Sequence, residues 1–189
     1  MISEDNNPMA PAAPAEAAAN PFTGTDVESI LREHGWMSDL ATATPAQSTW
    51  CERAAALLGP RCADRSALAD LLGLVFRYDA AELMTQRDTH VIMSRRDARD
   101  VLRLFGRMVL EPQPFTSERF KEVVTSAKEG SDIQGRELFH PLRLALAGRV
   151  GEGHLDRVIL LLDEAASAGF AMHVKTVRER ALEFCATLD

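Results

Sequence analysis

The arginines of this chain have the spacing that most invites a chemical reading. Arg95, Arg99, Arg103 and Arg107 recur every four positions, with Arg96 beside them. At about 100 degrees per residue, such a row drifts only about 40 degrees per step on a helix, so the four guanidinium groups share one face. A shared cationic face can neutralise phosphates, and it is equally compatible with a solvated surface that Asp97 and Asp100 partly balance. The other reactive residue types are arranged less suggestively. His34, His90, His140, His154 and His173 have no histidine or carboxylate partner at a spacing that makes a metal centre or a triad, so no metal is expected. Asp163 and Glu164 are chain neighbours, which point about 100 degrees apart on a helix and do not form an acid/base pair by spacing. No phosphate loop or dinucleotide-binding glycine pattern occurs, and no cofactor is expected. Cys51, Cys62 and Cys185 are odd in number and contain no Cys-x-x-Cys pair, which argues against a disulfide framework or the usual structural zinc site and leaves them as packing residues.

The elements that must carry these residues follow from composition. The chain has 189 residues, 46% hydrophobic and 26% charged, enough for a real core in one domain or two small ones. No apolar run approaches the length of a membrane span, and the first twenty residues lack the pattern of a signal peptide, so a soluble, cytoplasmic protein is expected. The formal charge is −7, from 28 acids and 21 bases. Residues 1–45 hold seven of the acids and only Arg32 among the bases, which leaves 21 acids against 20 bases in residues 46–189. The body is near neutral, and local patches decide its partners.

Residues 1–22 are rich in Ala, Pro, Asn and Glu and are expected to form a disordered arm. Thr25-Asp26-Val27-Glu28 has capping-box spacing and predicts a short first helix stopped by Gly35. Thr44 and Pro45 open a second, broken by Gly59-Pro60. Leu68 to Phe76 marks a third and Ala80 to Met84 a fourth, after the possible cap Asp79. The arginine stripe lies on a helix predicted to start at the cap Ser94, with Val101, Leu102, Leu104, Phe105, Met108 and Val109 on its other side. Glu111-Pro112-Gln113-Pro114 reads as a stiff link between two helical subdomains, 23–112 and 113–189. Beyond it, helices are predicted over Thr116 to Glu129, Gln134 to Gly148 with a kink or break near Pro141, Leu155 to Ala168, and Val174 to Leu188. No segment alternates as a half-buried strand would, so the fold class is all-α with eight to ten helices.

One stretch is more specific than periodicity. Gln134-Gly135-Arg136-Glu137-Leu138-Phe139-His140-Pro141-Leu142-Arg143-Leu144-Ala145-Leu146-Ala147-Gly148 resembles the "G-K-x-L-F-x-P-L-R-x-A-L-T-G" segment in the C-terminal anticodon-binding region of bacterial-type glutamyl-tRNA synthetases, which are class I enzymes. Trp50 to Arg61 is similar to that family's "W-x-E-R-x-x-x-L-L-x-x-R" helix, Leu68 to Asp79 to the segment after it, and Phe115-Thr116-Ser117-Glu118 to its "F-T-x-E" helix start. The likeness covers about residues 46–165 in the family's order. The motif also makes physical sense by itself. Gly135 allows a tight approach or a positive φ, Pro141 restricts the backbone, and Leu138, Phe139 and Leu142 anchor a core. Arg143 is its polar member, either a clamp on helix-end carbonyls or a contact to phosphate or base.

The resemblance implies a multihelical, two-subdomain fold like that of class I synthetase anticodon-binding domains, with Trp50, Gly135, Phe139, Pro141, Leu142 and Gly148 as its structural motif. It carries anticodon reading to Arg61 and to the loop Glu152-Gly153-His154-Leu155, and with the stripe and Arg143 these are the candidate RNA-binding residues. The sequence departs from the pattern at Ala147, where the family has threonine, at Glu152, and in lacking the loop proline. The catalytic signatures of class I synthetases are also missing: Glu33-His34-Gly35-Trp36 has no second histidine, and Ile92-Met93-Ser94-Arg95-Arg96 falls after the Trp50 motif, the wrong order for the Lys-Met-Ser-Lys loop. The expected function is therefore a stand-alone domain, non-catalytic alone, that binds tRNA or assists a separate synthetase partner in aminoacylation. The alternative is a helical protein-interaction module that kept the fold and lost RNA recognition.

Overall fold

The computed structural model describes residues 20–110, 113–131 and 133–188, and among these the regular structure is entirely helical. The arm expected over residues 1–22 lies outside the described residues up to residue 19. Asn20 donates from Nδ2 to the carbonyl of Ala55 at 3.0 Å, and Phe22 packs on the core.

Helix α1 spans Gly24–Glu33 and α2 spans Pro45–Leu58. The cap of α1 is Thr23, two residues ahead of the predicted Thr25. Asp26 accepts from the Thr23 amide and hydroxyl at 2.8 and 2.7 Å, while Glu28 is drawn into an ion pair with Arg32 at 2.7 Å. Thr44 caps α2 as expected, in a reciprocal box with Gln47. A 3₁₀ turn, Gly59–Arg61, ends α2 and is followed by α3 over Arg65–Phe76 and α4 over Ala80–Met84. Between α4 and the stripe helix the chain forms a further helix, α5, over Arg87–Met93. Ser94 closes α5, donating its hydroxyl to the carbonyl of Val91 at 2.9 Å, so it does not cap the stripe helix. That helix, α6, spans Arg96–Met108 behind Arg95.

The link expected at Glu111-Pro112-Gln113-Pro114 lies outside the described residues at 111 and 112; beyond it come α7, Ser117–Ser131, and α8, Arg136–Ala147. Of the kink or break predicted near Pro141, the break does not occur, since α8 runs through Pro141 to Gly148, whose φ of 73° is left-handed. The single helix expected over Leu155 to Ala168 is two, α9 at His154–Ile159 and α10 at Leu162–Ser167. Val158, Ile159, Leu161 and Leu162 are all fully buried, and on a continuous helix they would share one face, so their periodicity gives no sign of the break. At the turn between them the Leu161 carbonyl accepts both the Ala165 amide and the Trp50 indole N–H, each at 3.0 Å. Helix α11, Val177–Ala186, starts on a box between Thr176 and Glu179.

The buried side chains form a continuous hydrophobic cluster that draws on α1 through α11. Trp50 lies within it, edge-on to Phe76 and Phe170 at 5.7 and 5.1 Å. Helix α6 buries Ala98, Val101, Leu102 and Phe105 and packs against α7, α8 and α11, which leaves its arginine side to solvent. Among the described residues no helix is long and apolar enough to cross a membrane.

Candidate nucleic-acid interface

The end of α2 sets the first wall of the site. Gly59-Pro60 turns the chain and leaves Arg61 exposed at the lip of a groove. Asp70 and Leu71 of α3 continue that wall. The facing wall comes from the other half of the chain. Gly148 ends α8 in the left-handed conformation that glycine adopts without strain, and Arg149, Glu152, Gly153, His154 and Arg157 then line the groove. Its volume is about 640 Å³ and its surface is mostly polar. Arg157 also donates to the carbonyl of Leu57 at 2.9 Å, tying α9 to the last turn of α2. Three arginines and a histidine thus face two carboxylates, a lining that can take up an anionic backbone but is partly balanced by Asp70 and Glu152.

Arg61 and the loop at residues 152–154, the two features expected to read an anticodon, share this groove. Leu155 does not join them. Its side chain is 0% exposed and anchors the start of α9 in the core, because the apolar residue at that position follows the buried stripe of Val158 and Ile159. Sequence reasoning did not find Arg149, Arg157 or Asp70. The available signal was that two of them are arginines within three positions of the loop.

Arg143 lies behind the groove. Its Nε and Nη2 donate to the two oxygens of Asp156 at 2.7 and 2.8 Å, and Nη1 donates to the carbonyl of Gly151 at 3.0 Å. The guanidinium also covers the Phe139 ring at 4.8 Å. These bonds go to a carboxylate and a loop carbonyl and not to the helix-end carbonyls expected of a clamp.

The stripe occupies another element. Arg95, Arg99, Arg103 and Arg107 are exposed, the first just outside α6 and the others along it. Arg107 shares a shallow groove with Arg119 of α7, which donates to the Met108 carbonyl at 3.2 Å and pairs with Glu122. Near the stripe's start, burial holds the imidazole of His140 below the usual histidine range, helped by the charges of Arg143, Arg95 and Arg136, and its buried Nδ1 has no hydrogen-bond partner. The motif residues fill structural posts: Trp50, Pro141 and Leu142 are buried, Phe139 lies under Arg143, and Gly135 and Gly148 bracket α8 with φ of 59° and 73°. Asp163 and Glu164 diverge as expected. The first accepts from the amides of Phe115 and Val177, both at 2.9 Å, and the second pairs with Arg53.

Comparison with known proteins gives a consistent picture. The family model described as an anticodon binding domain matches residues 18–167. The glutamate–tRNA ligase of Bacillus licheniformis is 21% identical over 117 residues, 62% of this chain and 24% of that protein. The glutamate–tRNA ligase of Geobacillus thermodenitrificans is 25% identical over 116 residues, 61% of this chain and 23% of that protein. The chain thus spans about a quarter of the length of these curated relatives. No solved structure matches it at a significant level.

Proposed function

The chain belongs to the anticodon-binding domain family, and from that premise we propose that it holds tRNA in the groove between Arg61 and the loop at residues 149–154, while the chemistry of aminoacylation is supplied by a separate catalytic unit. The observation that carries this reading is the convergence of Arg61 with Arg149, His154 and Arg157, distant in sequence, on one open polar groove. The groove draws its walls from both sides of the proposed division at residues 112 and 113. Phosphates would be held by the arginines, and the partly buried His154 offers a ring that can stack or hydrogen-bond with a base. The α6 stripe supplies an accessory contact to the backbone of the same RNA.

Glu152 and Asp70 in the groove favour the second reading, a protein-interaction module, because they weaken the site's attraction for a polyanion. A mobility-shift assay with bulk tRNA at low and at raised salt separates the two. Retardation at low salt and release at raised salt are expected. The variant Arg61→Glu with Arg149→Glu abolishes the shift, whereas Arg99→Glu with Arg103→Glu weakens it and lowers the salt slope by roughly 0.7 to 0.9 for each phosphate no longer neutralised. If the wild-type chain ignores tRNA even at low ionic strength, the RNA reading falls and the interaction reading takes its place.

A further inference from the structure

We infer that Arg143 is a positioning residue, which holds the loop at residues 149–153 and the start of α9 in the geometry the groove needs without itself touching RNA. The inference rests on the groove reading above. Three of the five guanidinium donors are already engaged, two on Asp156 and one on the Gly151 carbonyl, and the ring of Phe139 backs the group. The Arg143 side chain is 12% exposed and that of Asp156 is 23% exposed, so the pair is largely removed from solvent and its geometry is fixed at both ends. The loop it holds has little stiffness of its own, since Gly151 and Gly153 are two of its residues and glycine has the most conformational freedom to lose on ordering. Gly153 lies close to the clamp, where an added Cβ would come within 3.8 Å of Arg143 Nη2. Fixing this loop fixes Arg149 and His154 across from Arg61. A direct contact is disfavoured by the same geometry, because an incoming phosphate would approach the Asp156 carboxylate together with the guanidinium.

The two roles predict opposite results when Asp156 is made neutral. If Arg143 touched RNA, Asp156→Asn would release the guanidinium and leave tRNA affinity unchanged or raised. As a clamp partner, Asp156→Asn weakens affinity on the order of tenfold, as does Arg143→Gln, because each removes a charge-assisted hydrogen-bonded pair. The double variant is no weaker than either single one, since both break a single link. Arg143→Lys keeps the charge but cannot reproduce the fork, so it falls with the others. Salt slopes stay at the wild-type value, because the groove and stripe arginines still neutralise the same phosphates. A drop in slope with Arg143→Gln, or a neutral or tighter Asp156→Asn, overturns the inference. Amide hydrogen exchange without RNA supplies an independent readout: in Asp156→Asn and Arg143→Lys, protection falls across residues 149–156 and is retained in α2 and α3. Retained protection in that loop also overturns the inference. If wild-type protein binds no tRNA while the exchange result holds, the clamp stands and the RNA reading alone fails.

Discussion

Arg180 enters the core on α11 with a relative exposure of 0%. Its guanidinium donates to the carbonyls of Leu74 at 2.9 Å, Leu146 at 2.8 Å and Val75, with Lys175 further off at 3.3 Å, and it covers the Tyr78 ring at 4.5 Å. Leu74 and Val75 lie in the last turn of α3, and Leu146 lies in the last turn of α8. One cation therefore satisfies carbonyls at the negative ends of two helices. Burial brings its pKa down to about 10, so it is still charged at neutral pH. Arg180→Met leaves these carbonyls unsatisfied, and a destabilisation of about 3 to 5 kcal/mol is expected by chemical denaturation. Arg180→Lys recovers little of it, because an ammonium is a point charge that cannot reach carbonyls on two helices together. An Arg180→Met protein as stable as the wild type would show that the cation is dispensable to the core. The sequence held a signal for this residue, since Arg180 lies within the apolar stripe of Val177, Ala181 and Phe184, a position where a solvated arginine has no place. Arg143 was legible only as a choice between clamp and contact, because its partner Asp156 is chosen by tertiary packing.

At the scale of elements, helix identity was more legible than helix boundaries. Thr44-Pro45 marks the start of α2 because cap and first-turn proline act locally, whereas α1 has two threonines at competing box spacings, and the outcome depends on where Glu28 finds Arg32. The run Val158 to Leu162 has the periodicity of one helix, and periodicity cannot show that the chain turns there, where the Trp50 indole, remote in sequence, donates to the Leu161 carbonyl. The stop of α8 is the reverse case, where a local rule is sufficient. Gly148 has φ of 73°, and an added Cβ would be 3.7 Å from Leu83 and 3.8 Å from Tyr78, which is ordinary contact. Gly148→Ala should therefore cost only the left-handed backbone strain, about 1 to 2 kcal/mol in urea denaturation. A cost well beyond that would mean that the surrounding side chains resist even this contact and that the loop into the groove shifts with it.

Over the whole molecule, the all-α class was legible from helical periodicity and the lack of strand alternation, and the near-neutral body from the distribution of charge. The closure of the chain was not, because it depends on single bonds between remote segments, such as Gln47 to the Gly169 carbonyl at 2.8 Å and Asp163 to the amides of Phe115 and Val177. The ionisable groups add a property of the fold as a unit. Hydrogen bonds at helix starts hold the carboxyls of Asp26, Glu118 and Glu179 below the ordinary range, through Thr23, through the backbone of Glu118 with Thr116, and through Thr176. Burial and three arginines hold His140 below its ordinary value. In each case the folded chain binds fewer protons than the unfolded one over the affected range, so stability is present above the ordinary pKa and is lost as pH falls toward the depressed one. His140 should act first, from about pH 6.5 downward, and the carboxyls below about pH 4.5. Urea midpoints are expected to fall between about pH 7.5 and 5.5 and again below about 4.5, and His140→Gln should flatten the first decline while leaving the second. The slope is the decisive quantity, because the substitution also alters packing and shifts every midpoint together. An equal decline in wild type and variant over the upper range would mean that His140 is protonated in the fold without penalty, and that neither its burial nor the charges of Arg143, Arg95 and Arg136 hold it down.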